Sequence, residues 1–149
     1  MQELIFLYGP PAAGKTTFSV KFCNDNPDYI RIGADTVREE LYGSQDIYGD
    51  GALIYKCLLA KMRMVFREGK NVLYDGTNLK KTDRMDFLRD LADIECKKAI
   101  WMLSVDIGTA KVRHAGRGRN IPWESLAPYF DIDEPPTKDE GWDEIKEVV

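Results

Sequence analysis

A chain of 149 residues, 44% apolar and 31% charged, is long enough to bury one sizeable core and reads as one globular domain over 1–149. Its net charge of −4 argues against sequence-blind adhesion to nucleic acid, though not against a local basic groove. No apolar run is long enough to span a bilayer and Met1-Gln2-Glu3 lacks a signal peptide's basic start, so a cytoplasmic, membrane-free setting with three reduced cysteines is expected.

Leu4-Ile5-Phe6-Leu7-Tyr8 is an apolar run that predicts a buried strand. Gly9-Pro10-Pro11-Ala12-Ala13-Gly14-Lys15-Thr16 follows, a complete G-x-x-x-x-G-K-[ST] loop, and Phe18 and Phe22 then repeat at helical spacing. Strand, glycine loop and helix are the context in which this motif cradles phosphate. Glycines let the backbone close around an anion, so that successive N–H groups and a helix N-terminus aim at its oxygens. Gly9, Ala12, Ala13, Gly14, Lys15, Thr16 and Thr17 are thus the expected ATP-binding residues. Lys15 would reach the β- and γ-phosphates, and the Thr16 hydroxyl would ligate Mg2+.

Asn24 to Asp28 is a polar turn, Tyr29-Ile30-Arg31-Ile32 a short strand, and Thr36 to Leu41 a helix opened by a capping box of Thr36 and Glu39. The stretch from Tyr42-Gly43 to Gly51 has no apolar period and reads as a loop. Ala52 to Arg67 predicts a long helix with Leu53, Ile54, Cys57, Leu58, Met62, Val65 and Phe66 on one stripe, ended by Gly69. Asn71 to Asp75 is a third strand, Thr82 to Ala92 a helix apolar at Met85, Leu88 and Leu91, and Lys98 to Val105 a fourth strand. Helices are expected from Gly108 to His114 and from Pro122 to Tyr129, a loop over Pro135 to Gly141, and a final strand over Ile145 to Val149. This alternation implies an α/β fold with a parallel sheet covered on both faces.

Ligands of such sheets sit outside the carboxyl ends of the strands, and Asp35, Asp75 and Asp106 occupy such ends. Asp35 is the candidate general base, with helix N-cap as its ordinary alternative. Arg38, one turn on, would hold an anionic part of the acceptor or simply pair with Asp35. Asp75 ends its strand as a Walker B acid and would act on Mg2+ directly or through water, the alternative being a turn-forming Asp. The next residue is Gly76, where a hydrolytic motor carries a glutamate, which favours transfer to an acceptor over hydrolysis. Lys111, Arg113, His114, Arg117 and Arg119, interleaved with Gly116 and Gly118, suggest a lid over about 111–121 rather than a solvated basic face. Arg113 and Arg117 are its candidates for contact with the ATP phosphates.

Gly9 to Thr17, Gly33-Ala34-Asp35-Thr36-Val37-Arg38, Asp75-Gly76-Thr77-Asn78 and Arg113 to Gly118, in that order, resemble the polynucleotide 5′-hydroxyl kinase-like P-loop phosphotransferases, among the small AAA- and zeta-toxin-like kinases. The tail Pro135-Pro136 to Glu144 is similar to that family's C-terminal end. The resemblance implies a five-stranded sheet in order 2-3-1-4-5, catalysis by Asp35, Lys15 and Arg117, and an acceptor site of Arg38, Asp35, Asp75 and Asn78. Metal ligation by Thr16 and Asp75 and ATP with Mg2+ as donor and cofactor follow from it. Two departures stand out: Thr36 replaces a second acid after Asp35, and the 149 residues read as a kinase-like domain without the phosphatase or ligase expected of repair members. The expected function is transfer of the γ-phosphoryl of ATP to a hydroxyl, with a nucleic-acid 5′ end as acceptor. A small-molecule kinase acting on a nucleoside, sugar nucleotide or metabolite, and a regulatory ATPase without its own acceptor, are the alternatives.

Overall fold

A computed structural model of the chain describes residues 1–148. Five parallel strands run β1 Glu3–Tyr8, β2 Tyr29–Gly33, β3 Asn71–Asp75, β4 Lys97–Met102 and β5 Glu144–Glu147, in the spatial order 2-3-1-4-5. The helices are α1 Lys15–Asp25, α2 Ala34–Tyr42, α3 Gly51–Arg67, α4 Lys81–Asp90, α5 Ile107–Gly116 and α6 Trp123–Leu126. Both the α/β class and the strand order agree with the reading above.

Strand geometry divides the core in two, because successive side chains point to opposite faces. Leu4 and Phe6 of β1 join Val72 and Tyr74 of β3 under α3 and α4, with Ile54, Leu58, Met62, Phe87 and Leu91. Ile5 and Leu7 face the other way, onto Leu73 and Ala99 and against Phe18 and Phe22 of α1. Register follows suit, with Ile5 opposite both Leu73 and Ala99, and Phe6 opposite Tyr74 and Ile100. Phe6 meets Tyr74, Phe87 and Trp142 edge-on at centroid distances of 5.0, 5.2 and 5.3 Å. Such pairs contribute about 0.5–1.5 kcal/mol each beyond the burial itself.

Several boundaries differ from the expectation for local reasons. Helix α2 begins at Ala34, two residues early, with Gly33 as an N-cap that has no side chain to offer. The expected capping box of Thr36 and Glu39 therefore does not form, and Thr36 lies inside the first turn. Helix α3 is capped instead by Asp50, which accepts from the backbone N–H of Ala52 and Leu53 at 3.0 and 3.3 Å. Leu53 is exposed rather than part of the buried stripe. The segment expected as a loop before β5 holds a short 3-10 helix, Lys138–Glu140, with a capping box of Thr137 and Glu140. Of the final strand's expected residues, Val149 lies outside those described. Among the described residues no helix is long and apolar enough to cross a membrane.

Candidate active site

The phosphate loop leaves β1 at Gly9, whose missing side chain is a packing requirement: a Cβ there would lie 2.5 Å from the Leu103 carbonyl oxygen. Gly9 N–H donates to the Thr77 carbonyl at 3.0 Å, tying the loop's first residue to the end of β3. Gly14 caps α1 at φ +92°, a left-handed conformation suited to glycine. Ala12 adopts φ +65° without that excuse, and Arg113 Nη1 reaches from α5 to donate to its carbonyl at 3.0 Å. Lys15 is buried in the loop and donates to the Pro10 carbonyl at 2.8 Å. Burial pushes its pKa down to about 8, with the charge of Arg117 adding to the effect and that of Asp75 opposing it. A polyanion entering the loop would supply the counter-charge that this ammonium lacks.

Thr16 donates its hydroxyl to Asp75 Oδ2 at 2.8 Å, so the two sequence-assigned metal residues do meet. Among the described residues no cluster of three or more His, Cys, Asp or Glu could hold a cation by itself. A hydroxyl and one carboxylate fit Mg2+, which keeps most of its waters and takes its other oxygens from nucleotide phosphates.

The unexpected member of the site is Arg31, on β2. Its Nη2 donates to Asp75 Oδ2 at 2.5 Å and to Asp35 Oδ2 at 2.9 Å, its Nε to Ser19 Oγ at 2.9 Å, and its Nη1 to Thr36 Oγ1 at 3.3 Å. Asp35 sits in the first turn of α2 and makes no cap bond, so the N-cap alternative does not hold. Nor does Arg38 pair with it, since Arg31 takes that place. One carboxylate oxygen of Asp35, Oδ1, is buried without a partner, and so is Arg38 Nε. The Arg38 guanidinium lies 5.9 Å from the centroid of the Tyr48 ring. The sequence reading gave Arg31 no role; its one signal there is a charge in an otherwise apolar strand, two residues before a glycine.

Three other assignments change. Asn78, grouped above with the acceptor, is buried at φ +49° and donates its amide to the Leu7 carbonyl at 2.7 Å. Its amide holds β1 at the root of the phosphate loop instead of facing an acceptor. Asp106 caps α5 through the Thr109 backbone N–H at 2.8 Å. The basic segment is helical as far as Gly116 and then turns. His114 Nε2 meets the Ile121 carbonyl at 2.6 Å and its Nδ1 meets Arg117 Nη2 at 3.2 Å; the tautomer with Nε2–H satisfies both contacts. Arg119 does not face the loop: its Nε and Nη2 donate to Asp46 at 2.8 and 2.7 Å, and Asn120 N–H also donates to Asp46. The loop around Asp46, without a role in the sequence reading, is thus fastened to the basic segment at Arg119 and Asn120.

No curated protein sequence matches the chain. Among solved structures it is similar to the Pnkp1/Rnl/Hen1 RNA repair complex, at 19% identity and TM-score 0.77 over 87% of this chain and 43% of that one. A fungal RNA kinase shares 15% identity and TM-score 0.70 over 99% of this chain and 38% of its own. A gluconokinase from Sinorhizobium meliloti 1021 shares 19% identity and TM-score 0.60 over 98% and 81%. Likeness at these identities shows a P-loop kinase fold, and the chain spans less than half of the first two chains. Residues 4–128 match the AAA domain family, and by that match the chain belongs to it.

Proposed function

We propose that this protein is a Mg2+-dependent kinase that transfers the γ-phosphoryl of ATP to a nucleic-acid 5′-hydroxyl, with residues 111–121 as its lid. The observation that carries this reading is the arrangement of Asp35, whose Oδ2 is held by Arg31 and whose Oδ1 is left without a partner. The residue after the strand-end acid is Gly76 and not a water-orienting glutamate, so Asp35 is the carboxylate left to take a hydroxyl's proton. In the transfer, the acceptor oxygen forms its bond to the γ-phosphorus and gives its proton to the Asp35 carboxylate, while the bond to the β,γ-bridging oxygen breaks and ADP leaves. Lys15 and the loop N–H groups offset the phosphate charge, and Arg117, whose charge already reaches Lys15, meets the transferring group from the lid. Mg2+ held at Thr16 and Asp75 would supply further charge neutralisation.

In this reading Arg38, whose Nε has no partner, reads the phosphate that follows the first nucleoside. That group is common to every nucleic-acid 5′ end and absent from a free nucleoside. The likeness to a gluconokinase supports a second reading, in which the acceptor is a small polyol or metabolite.

Comparing a nucleoside 3′-monophosphate with the bare nucleoside separates the two. A charge-assisted contact is worth roughly 1.5–3 kcal/mol, or about ten- to a hundredfold in kcat/KM. The wild type is expected to prefer the 3′-phosphorylated acceptor by that ratio, and Arg38→Ala to lose most of the preference while keeping the slow reaction on the nucleoside. No preference in the wild type, or no transfer to either acceptor, assigns the protein to the small-molecule reading.

A further inference from the structure

Arg31 takes no part in the phosphate motif, yet its four acceptors belong to three elements besides its own strand: Ser19 on α1, Asp35 and Thr36 on α2, and Asp75 on β3. A guanidinium is planar and rigid, so it cannot turn toward one of these partners without losing another. Its side chain is only 16% exposed, beside Asp75 at 6% and Asp35 at 30%. Burial works against its charge, but its hydrogen bonds to Asp75 and Asp35 and the charges of both carboxylates outweigh that and raise its pKa. Buried ion pairs of this sort add little net stability compared with apolar side chains of similar size. What the arrangement does provide is geometry. Gly33 agrees with this, because a Cβ at that position would collide with Asp35 Oδ1 and lie 3.0 Å from Arg31 Nη2.

We propose that Arg31 is a positioning residue for phosphoryl transfer. By sharing one nitrogen between Asp35 and Asp75, it fixes the carboxylate that receives the acceptor's proton relative to the carboxylate and hydroxyl beneath the phosphate loop. This inference rests on Asp35 being the base, and it makes the acceptor side and the metal side of the site one rigid unit. Lysine at position 31 would keep the charge but, as a point donor, could not span the four acceptors.

The test is a double-mutant cycle of Arg31→Lys and Asp35→Asn, with kcat for a nucleoside 3′-monophosphate and affinity for MgADP as readouts. In the wild-type background Arg31→Lys is expected to lower kcat about ten- to a hundredfold, the scale of an ångström-sized misplacement, while MgADP affinity stays within about threefold. In the Asp35→Asn background the same substitution should change kcat little, since the carboxylate it positions is gone. An equal loss in both backgrounds overturns the positioning role and leaves Arg31 a structural ion pair. Wild-type kcat in Asp35→Asn alone overturns the base assignment itself, and the inference with it. Where Arg31→Lys does not fold, Ser19→Ala removes one acceptor of Arg31 and no charge. Its several-fold loss of kcat should likewise vanish in Asp35→Asn, and an undiminished loss there overturns the inference.

Discussion

Ala12 is the one residue of the phosphate loop whose chemistry disagrees with its conformation. A left-handed backbone costs an L residue about 1–2 kcal/mol, and Ala12 holds φ +65° with its carbonyl clamped by Arg113. Ala12→Gly should therefore stabilise the protein by about 1 kcal/mol, a rise in Tm of about 2–4 °C by calorimetry. It should also make ATP binding less dependent on the clamp, so that Arg113→Ala raises the ATP KM less in Ala12→Gly than in the wild type. A lower Tm for Ala12→Gly would show that the loop is not strained at this position. The phosphate loop was legible because everything it needs lies within nine consecutive residues. Arg31 was not, because its role exists only once β2 lies beside β3 and brings it to Asp75, 44 residues away. Asn78 was misplaced for a related reason: an amide after a strand-end acid looks available until the fold sets it against Leu7.

Helices were legible where apolar period decides their packing, and least legible where a charge is buried. Helix α4 was expected to bury Met85, Leu88 and Leu91, but its innermost residue is Arg84, with its side chain fully buried. Arg84 forms a two-pronged pair with Glu140 at 2.9 and 2.8 Å and donates to the carbonyls of Asn78 and Leu79 at 2.9 and 3.0 Å. Trp142 Nε1 completes the cluster by donating to Glu140 at 3.0 Å. The tail before β5 is thereby locked to the segment that roots the phosphate loop. Burial would raise the Glu140 pKa, but the hydrogen bonds from Arg84 and Trp142 and the Arg84 charge hold it below the ordinary 4.5. A carboxylate with a depressed folded-state pKa gives stability that is fully present above the unfolded value and is lost as pH falls through the folded one. Urea midpoints should thus decline below about pH 4.5 in the wild type. Glu140→Gln should cost about 3 kcal/mol at neutral pH, by leaving Arg84 without its counter-charge, and should flatten that decline. The same acid slope in both proteins would place the pH dependence elsewhere.

At the scale of the whole molecule, the strand order sets what can meet. With β1 between β3 and β4, the phosphate loop opens at the sheet's carboxyl edge beside Asp75, and β2 carries Arg31 and the start of α2 to the same edge. Alternating strands and helices made that edge legible as the site, whereas the contact of Asp46 with Arg119 and Asn120 joins two loops that have no periodicity to betray them. The phosphate loop, the Asp35–Arg31–Asp75 cluster and the 111–121 segment fastened to Asp46 thus gather around one edge, and the central claim is that these serve transfer to a hydroxyl. Incubating the protein with γ-labelled ATP, Mg2+ and a 5′-hydroxyl oligonucleotide, and following the label into oligonucleotide and into free phosphate, tests that claim most directly. The account predicts label on the oligonucleotide with little free phosphate, and loss of the transfer in Lys15→Ala. Release of the label as inorganic phosphate at one rate, with or without the oligonucleotide, would contradict it.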